Sequence, residues 1–143
     1  MDKKDSTPEE ELFNEPESNL HKTRILIVDD EPEIREFLSY FLESKGYQII
    51  ESADGEGALR QIKLHHPDII LLDIFLPDMG GVEVLRRIRE FDQDVGVIMI
   101  TSLRDEEIGR HALDLGADDF ILKPIDLDYL ETSVIAKINS KLA

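Results

Sequence analysis

Two stretches decide the fold: Ile25-Leu26-Ile27-Val28-Asp29-Asp30-Glu31-Pro32 and Ile69-Ile70-Leu71-Leu72-Asp73. In each, an unbroken apolar run ends abruptly on carboxylates. A strand with one wet face alternates apolar and polar residues. An unbroken run instead suits a strand covered on both faces. Val95 to Ile100 and Phe120-Ile121-Leu122 have the same character, and Tyr47-Gln48-Ile49-Ile50 shows it more weakly. The pattern predicts a parallel sheet with helices on both sides.

The segments between these runs carry helical periods. Ile34, Phe37, Leu38, Phe41 and Leu42 follow an i, i+3, i+4, i+7, i+8 stripe. Asp30 is the expected N-cap of this helix, Pro32 falls in its first turn, and Gly46 suits the position just past its end. Ala58, Leu59 and Ile62 mark a second helix, which His65-His66 ends before Pro67. Val82, Leu85 and Ile88 mark a third, and Ile108, Ala112 and Leu115 a fourth, closed by Gly116. Leu127, Leu130, Val134 and Ile138 mark a fifth, with Asp126 placed to cap it. Five strands alternating with five helices predict an α/β, doubly wound five-stranded parallel sheet.

Composition narrows the function classes. The 143 residues include 16 Lys+Arg and 32 Asp+Glu, for a net charge of -16. That balance argues against direct nucleic-acid binding, which needs a basic face. Cysteine is absent, which excludes disulfides, thiolate metal sites and a thiol nucleophile. No apolar run approaches the roughly 18 residues of a membrane span, and no secretory signal is visible, so a soluble cytoplasmic protein is expected. Residues 1–23 form an acidic leader with seven acids and three lysines, net -4. Its few large apolar residues cannot offset its ordering entropy, so a mobile segment is expected. Thr7-Pro8-Glu9-Glu10 reads as a capping box for a helical turn over Pro8 to Phe13. Residues 24–143 are the expected folded domain.

Ligands of an open parallel α/β sheet bind at the carboxyl ends of its strands. The polar residues after each apolar run are Asp29, Asp30 and Glu31, then Asp73, then Thr101 and Ser102, then Lys123 before Pro124. Clustered carboxylates repel one another unless a cation sits among them. Mg²⁺ takes oxygen ligands and would leave Asp73 ionised and nucleophilic. Carboxylate attack on a phosphoryl group gives an aspartyl phosphate. Lys123 and the metal would neutralise charge in that transfer, and Thr101 would add a hydroxyl. Gly55-Glu56-Gly57 lacks the spacing of a dinucleotide loop, no phosphate-binding GxxxxGK[ST] occurs, and the four histidines show no ligand spacing.

In this order and at these strand ends, the strings resemble a response-regulator receiver domain, the flavodoxin-like fold of the single-domain chemotaxis regulator. The resemblance runs from about Thr23 to Leu142. It is carried by Ile25 to Asp30 with Glu31-Pro32, Leu72-Asp73-Ile74, Leu76-Pro77-Asp78-Met79 with Gly81, Thr101-Ser102, Gly116-Ala117-Asp118-Asp119 and Lys123-Pro124. It implies Asp73 as phosphoacceptor and Mg²⁺ on Asp30, Asp73 and the Phe75 backbone carbonyl, with Asp29 acting through water. It implies that Thr101 and Lys123 contact the phosphoryl group, that the Lys123–Pro124 peptide is cis, and that Thr101 and Phe120 form a switch. A histidine kinase or histidine phosphotransfer protein would supply the phosphoryl group. The output partner stays open, as does a phosphorylation-dependent dimer. The domain would phosphorylate itself and lose the group slowly, without turning over a separate substrate.

Departures from the family pattern are Gly80, where Asp is frequent, and the apolar Phe75 and Leu103, which are expected to shield the phosphoryl group from water. No output domain is expected after Leu142, unless the chain is a receiver excised from a larger DNA-binding or enzymatic regulator. A haloacid-dehalogenase-like phosphatase also uses an Asp nucleophile with Mg²⁺. It needs a second Asp two residues on, where this chain has Phe75.

Overall fold

The computed structural model describes residues 22–142. The elements run β1 (Arg24–Val28), α1 (Pro32–Ser44), β2 (Gln48–Ser52), α2 (Gly55–His65), β3 (Ile69–Asp73), α3 (Gly81–Phe91), β4 (Gly96–Ser102), a 3₁₀ turn (Leu103–Asp105), α4 (Glu106–Asp114), β5 (Asp119–Lys123) and α5 (Leu127–Leu142). All strand pairs are parallel and the order is β2-β1-β3-β4-β5. The reversal of winding therefore falls between β1 and β3, which places the ends of these two strands side by side. The capping box and helical turn expected over Thr7 to Phe13 lie outside the described residues.

Each unbroken run fills both faces of the sheet. Leu26, Val28, Ile70, Leu72, Val97 and Met99 pack against α2, α3 and α4 through Ala58, Ile62, Val84, Leu85, Ile88 and Ala112. Ile25, Ile27, Ile69, Leu71, Ile98 and Ile100 pack against α1 and α5 through Leu38, Leu42, Leu130 and Val134. Burying a side chain of this size contributes roughly 1.5–3 kcal/mol, so the two layers dominate the folding energy. No helix among the described residues is long and apolar enough to cross a membrane.

Local signals hold in part. Gly46 and Gly116 adopt φ of 97° and 110°, which only glycine takes cheaply after a helix. Asp126 caps α5 by accepting from the backbone N–H of Asp128 and Tyr129. The N-cap of α1 is Glu31, not Asp30, and it makes no side-chain capping bond. Pro32 at N1 removes one of the unpaired N–H groups of the helix start, and Asp29 takes the backbone N–H of Glu31 at 2.8 Å. Asp30 is left exposed at the mouth of the site. Two stripe residues also point outward: Phe37 is 50% exposed and Ile108 is 37% exposed. In α3 the fully buried residues are Val84, Leu85 and Ile88 rather than Val82.

Candidate functional site

The site lies at the carboxyl end of β3. Asp73 closes that strand, Asp29 and Asp30 follow β1 on one side, and Thr101 ends the buried part of β4 on the other. Carboxylate oxygens of Asp29, Asp30 and Asp73 all lie within 4.8 Å of one another. Asp29 and Asp73 are buried, at 2% and 6% exposure. Asp73 Oδ1 accepts from the Phe75 backbone N–H at 3.2 Å. A hard divalent cation with retained waters fits this donor set, because one exposed and two buried carboxylates leave an open side.

Lys123, at the end of β5, reaches across the cluster. Its Nζ lies 3.6 Å from Asp29 Oδ2, 3.6 Å from Asp73 Oδ2 and 3.8 Å from Glu31 Oε1. Burial and the neighbouring Asp29 push the Asp73 carboxyl up to about 6, against the opposing pull of Lys123 and the Phe75 N–H. Burial works to lower the lysine, but Asp73, Asp29 and Glu31 outweigh it and hold the ammonium charged. The peptide Lys123–Pro124 is cis. Thr101 sits at the same edge, but its hydroxyl donates to the Ser102 and Asp105 carbonyls, each at 3.4 Å.

Phe120 lies on β5, two strands from Asp73 on β3. Its ring is partly buried, with the Arg110 guanidinium carbon 5.8 Å from its centroid. A Cβ at Gly109 would stand 2.9 Å from the Phe120 ring and 3.2 Å from the Thr101 methyl. Helix α4 therefore rests on both residues at a position with no side chain. Phe75 is 57% exposed beside the acids, and the Leu103 side chain lies outside the described residues.

Two contacts of residues already quoted from the sequence were not legible there. Glu31 faces Lys123, although a residue before Pro in a helix start looks like ordinary solvated charge. Asp78 clamps the loop after β3 to the start of α2: its two oxygens accept from the backbone N–H of Gly55 and Glu56 at 2.8 and 2.9 Å. Those bonds pull its carboxyl below the ordinary range. The turn signal Pro77-Asp78 was visible, but its partner is a helix that only folding brings near.

The strained charge cluster makes a stability prediction for metal-free protein. A carboxyl held above its unfolded value binds its proton more tightly when folded. Its contribution therefore falls as pH rises from about 4 through about 6, and stays low above that. Metal-free Asp73→Asn is expected to melt higher than wild type at pH 7.5, with the gap shrinking toward pH 5. Thermal unfolding in chelator at both pH values checks it. An unchanged gap would show that the charge of Asp73 is not the cause.

Comparison with known proteins places this geometry in a family. The model of the response regulator receiver domain matches residues 25–135. The chain is 38% identical over 115 residues to the probable transcriptional regulator ycf27 of Cyanophora paradoxa, covering 80% of this chain and 48% of that protein. It is 42% identical over 106 residues to the transcriptional regulatory protein KdpE of Mycobacterium tuberculosis, covering 74% and 46%. The chain thus spans about half the length of the curated relatives it matches. A solved CheY-like receiver domain protein from Methanospirillum hungatei superposes with a TM-score of 0.80 at 31% identity, covering 85% of this chain and 97% of that one. On the strength of that match and these relatives, the chain belongs to the family of response regulator receiver domains, and its fold is that of a two-component signalling module.

Proposed function

We propose that this receiver takes a phosphoryl group onto Asp73 and that the modified state signals by binding another protein. The observation that carries the reading is Lys123 Nζ at 3.6 Å from both Asp73 and Asp29, at the sheet edge where three acids cluster. Asp30, Asp73 and the Phe75 carbonyl would hold Mg²⁺, with Asp29 acting through water. When bound, the ion supplies charge neutralisation for the incoming phosphoryl oxygens. Asp73 provides the attacking oxygen, and Lys123 pairs with the added charge. Thr101 gives up its weak carbonyl contacts to donate to the phosphoryl group.

That last movement would vacate space beside Gly109 and admit the Phe120 ring, remodelling the face built by α4, β5 and α5. A histidine kinase or histidine phosphotransfer protein supplies the phosphoryl group. The domain, residues 24–143, is a signalling module and not an enzyme with its own turnover; loss of phosphate is its slow resetting step. The test is treatment with a small phosphodonor and Mg²⁺ followed by intact mass, where one added phosphoryl group is expected. No gain in mass would overturn the reading.

Phe75 follows Asp73 by two residues, and its ring is exposed. Phe75→Asn is therefore expected to lose phosphate several-fold faster than wild type, measured by the decay of phosphorylated protein after the donor is removed. An equal or slower decay would remove the shielding role. The half-length match to relatives named as transcriptional regulators favours a second setting for the same chemistry, in which this receiver belongs to a longer regulator. The coding sequence downstream of Ala143 decides between the two settings.

A further inference from the structure

The groove between α2 and α3 differs in charge from the rest of the molecule. In a chain of net charge -16, Arg60, Lys63 and Arg87 gather on one hollow of about 310 Å³. Leu59 and Phe91 give it apolar lining, and Glu56 and Glu90 offset the cations only in part. Arg87 is paired with Glu83 on its own helix. Among the described residues, the ion pairs include no carboxylate for Arg60 or Lys63. Lys63 instead lies over the Phe91 ring, 5.1 Å from its centroid, and Phe91 is 46% exposed. None of these residues is among the acids or the lysine of the site at the end of β3.

A complementary segment exists on the same chain. Residues 1–21 hold seven acids against two lysines, and Glu9-Glu10-Glu11 directly precede Leu12-Phe13. The attachment point is close to the groove. Arg24, two residues after Lys22, donates from Nη1 to the carbonyl of His65 at 2.6 Å, and His65 is the last residue of α2. From there Arg60 is about 7.5 Å back along the helix axis at 1.5 Å per residue. The eight residues between Phe13 and Lys22 can extend to about 30 Å. Reach is therefore ample, and a short tether gives an effective concentration in the millimolar range.

We infer that the leader docks in cis on the α2–α3 groove, with Glu9, Glu10 and Glu11 facing Arg60, Lys63 and Arg87, and with Leu12 and Phe13 against Phe91. The inference does not depend on the phosphoacceptor reading. The absence of cysteine offers a clean test, because Asn14→Cys creates a unique attachment point for a nitroxide. In the full chain at low salt, paramagnetic broadening is expected for amides of α2 and α3 around Arg60, Lys63 and Phe91. It is expected to fade near 1 M salt, where the screening length falls to about 3 Å.

Adding Arg60→Glu and Lys63→Glu to the labelled chain is expected to abolish the broadening, as is replacing Glu9, Glu10 and Glu11 by Gln, which leaves the folded domain untouched. Broadening that is absent, that centres on another face, or that survives both sets of substitutions would overturn the proposal. A mixture of labelled unenriched chain with unlabelled ¹⁵N chain separates the other occupant. Broadening of equal strength there would mean that the groove takes a second copy's leader, which also overturns docking in cis.

Discussion

Asp73→Asn is expected to gain no phosphoryl group under conditions where the wild-type chain gains one, read by intact mass after a small phosphodonor and Mg²⁺. Asp73 ends the central strand, so residues from β1, β4 and β5 all converge on it, whereas Asp30 is exposed and Asp29 is the acceptor of the Glu31 backbone N–H at 2.8 Å. Asparagine keeps the size and one oxygen but loses the nucleophilic charge. With its carboxyl at about 6, wild-type Asp73 is mostly ionised at neutral pH even without a cation. Because the substitution also relieves the charge crowding, the variant is expected to be at least as stable as wild type, so lost phosphorylation cannot be blamed on unfolding. Undiminished incorporation in Asp73→Asn would move the acceptor to another carboxylate.

Gly81→Ala is expected to be the most damaging single methyl in the domain. A Cβ there would stand 2.2 Å from the Asp73 carbonyl oxygen and 2.9 Å from the Ile74 Cα, both main-chain atoms. Backbone cannot swing away as a long side chain can, so the loop after β3 must shift. Gly81 N also donates to the Ile74 carbonyl at 2.6 Å, and that bond closes the turn around the acid site. Overpacking of a tight site costs roughly 1–3 kcal/mol and occasionally more, and here the strain falls on Asp73 itself. A loss of about 3 kcal/mol in urea unfolding is expected, together with reduced phosphoryl uptake. Gly80→Ala is the internal control. Its nearest neighbour is the Ile74 carbonyl oxygen at 3.8 Å, an ordinary contact, so little change is expected. Equal effects at the two positions would show that loop flexibility, and not this contact, sets the cost.

The sheet and the main acids were legible because their signals are local. An unbroken apolar run needs cover on both faces wherever it ends up, and Asp29, Asp30 and Asp73 stand directly after such runs. Pro67 and Gly116 stop helices by their own backbone chemistry. Phe37 and Ile108 were misplaced for the opposite reason. A helical stripe states which residues share a face, but the width of the neighbouring surface decides how many of them are covered. The spacing of Asp30 to Pro32 suggests a cap, whereas the bond that Asp29 makes to the Glu31 N–H depends on how β1 meets α1.

Period, composition and the short-range rules of caps and turns already set the layered α/β class, the five strands and the residue types available at their ends. Packing across the sheet is what brings Lys123 to equal distance from Asp29 and Asp73, ties the acid loop to α2 through Asp78, and sets Gly109 against both Thr101 and Phe120. Each of these contacts joins residues separated by many positions in the chain. Their distances are set by how strands stack in register and how helices pack across the sheet, and no local pattern encodes that.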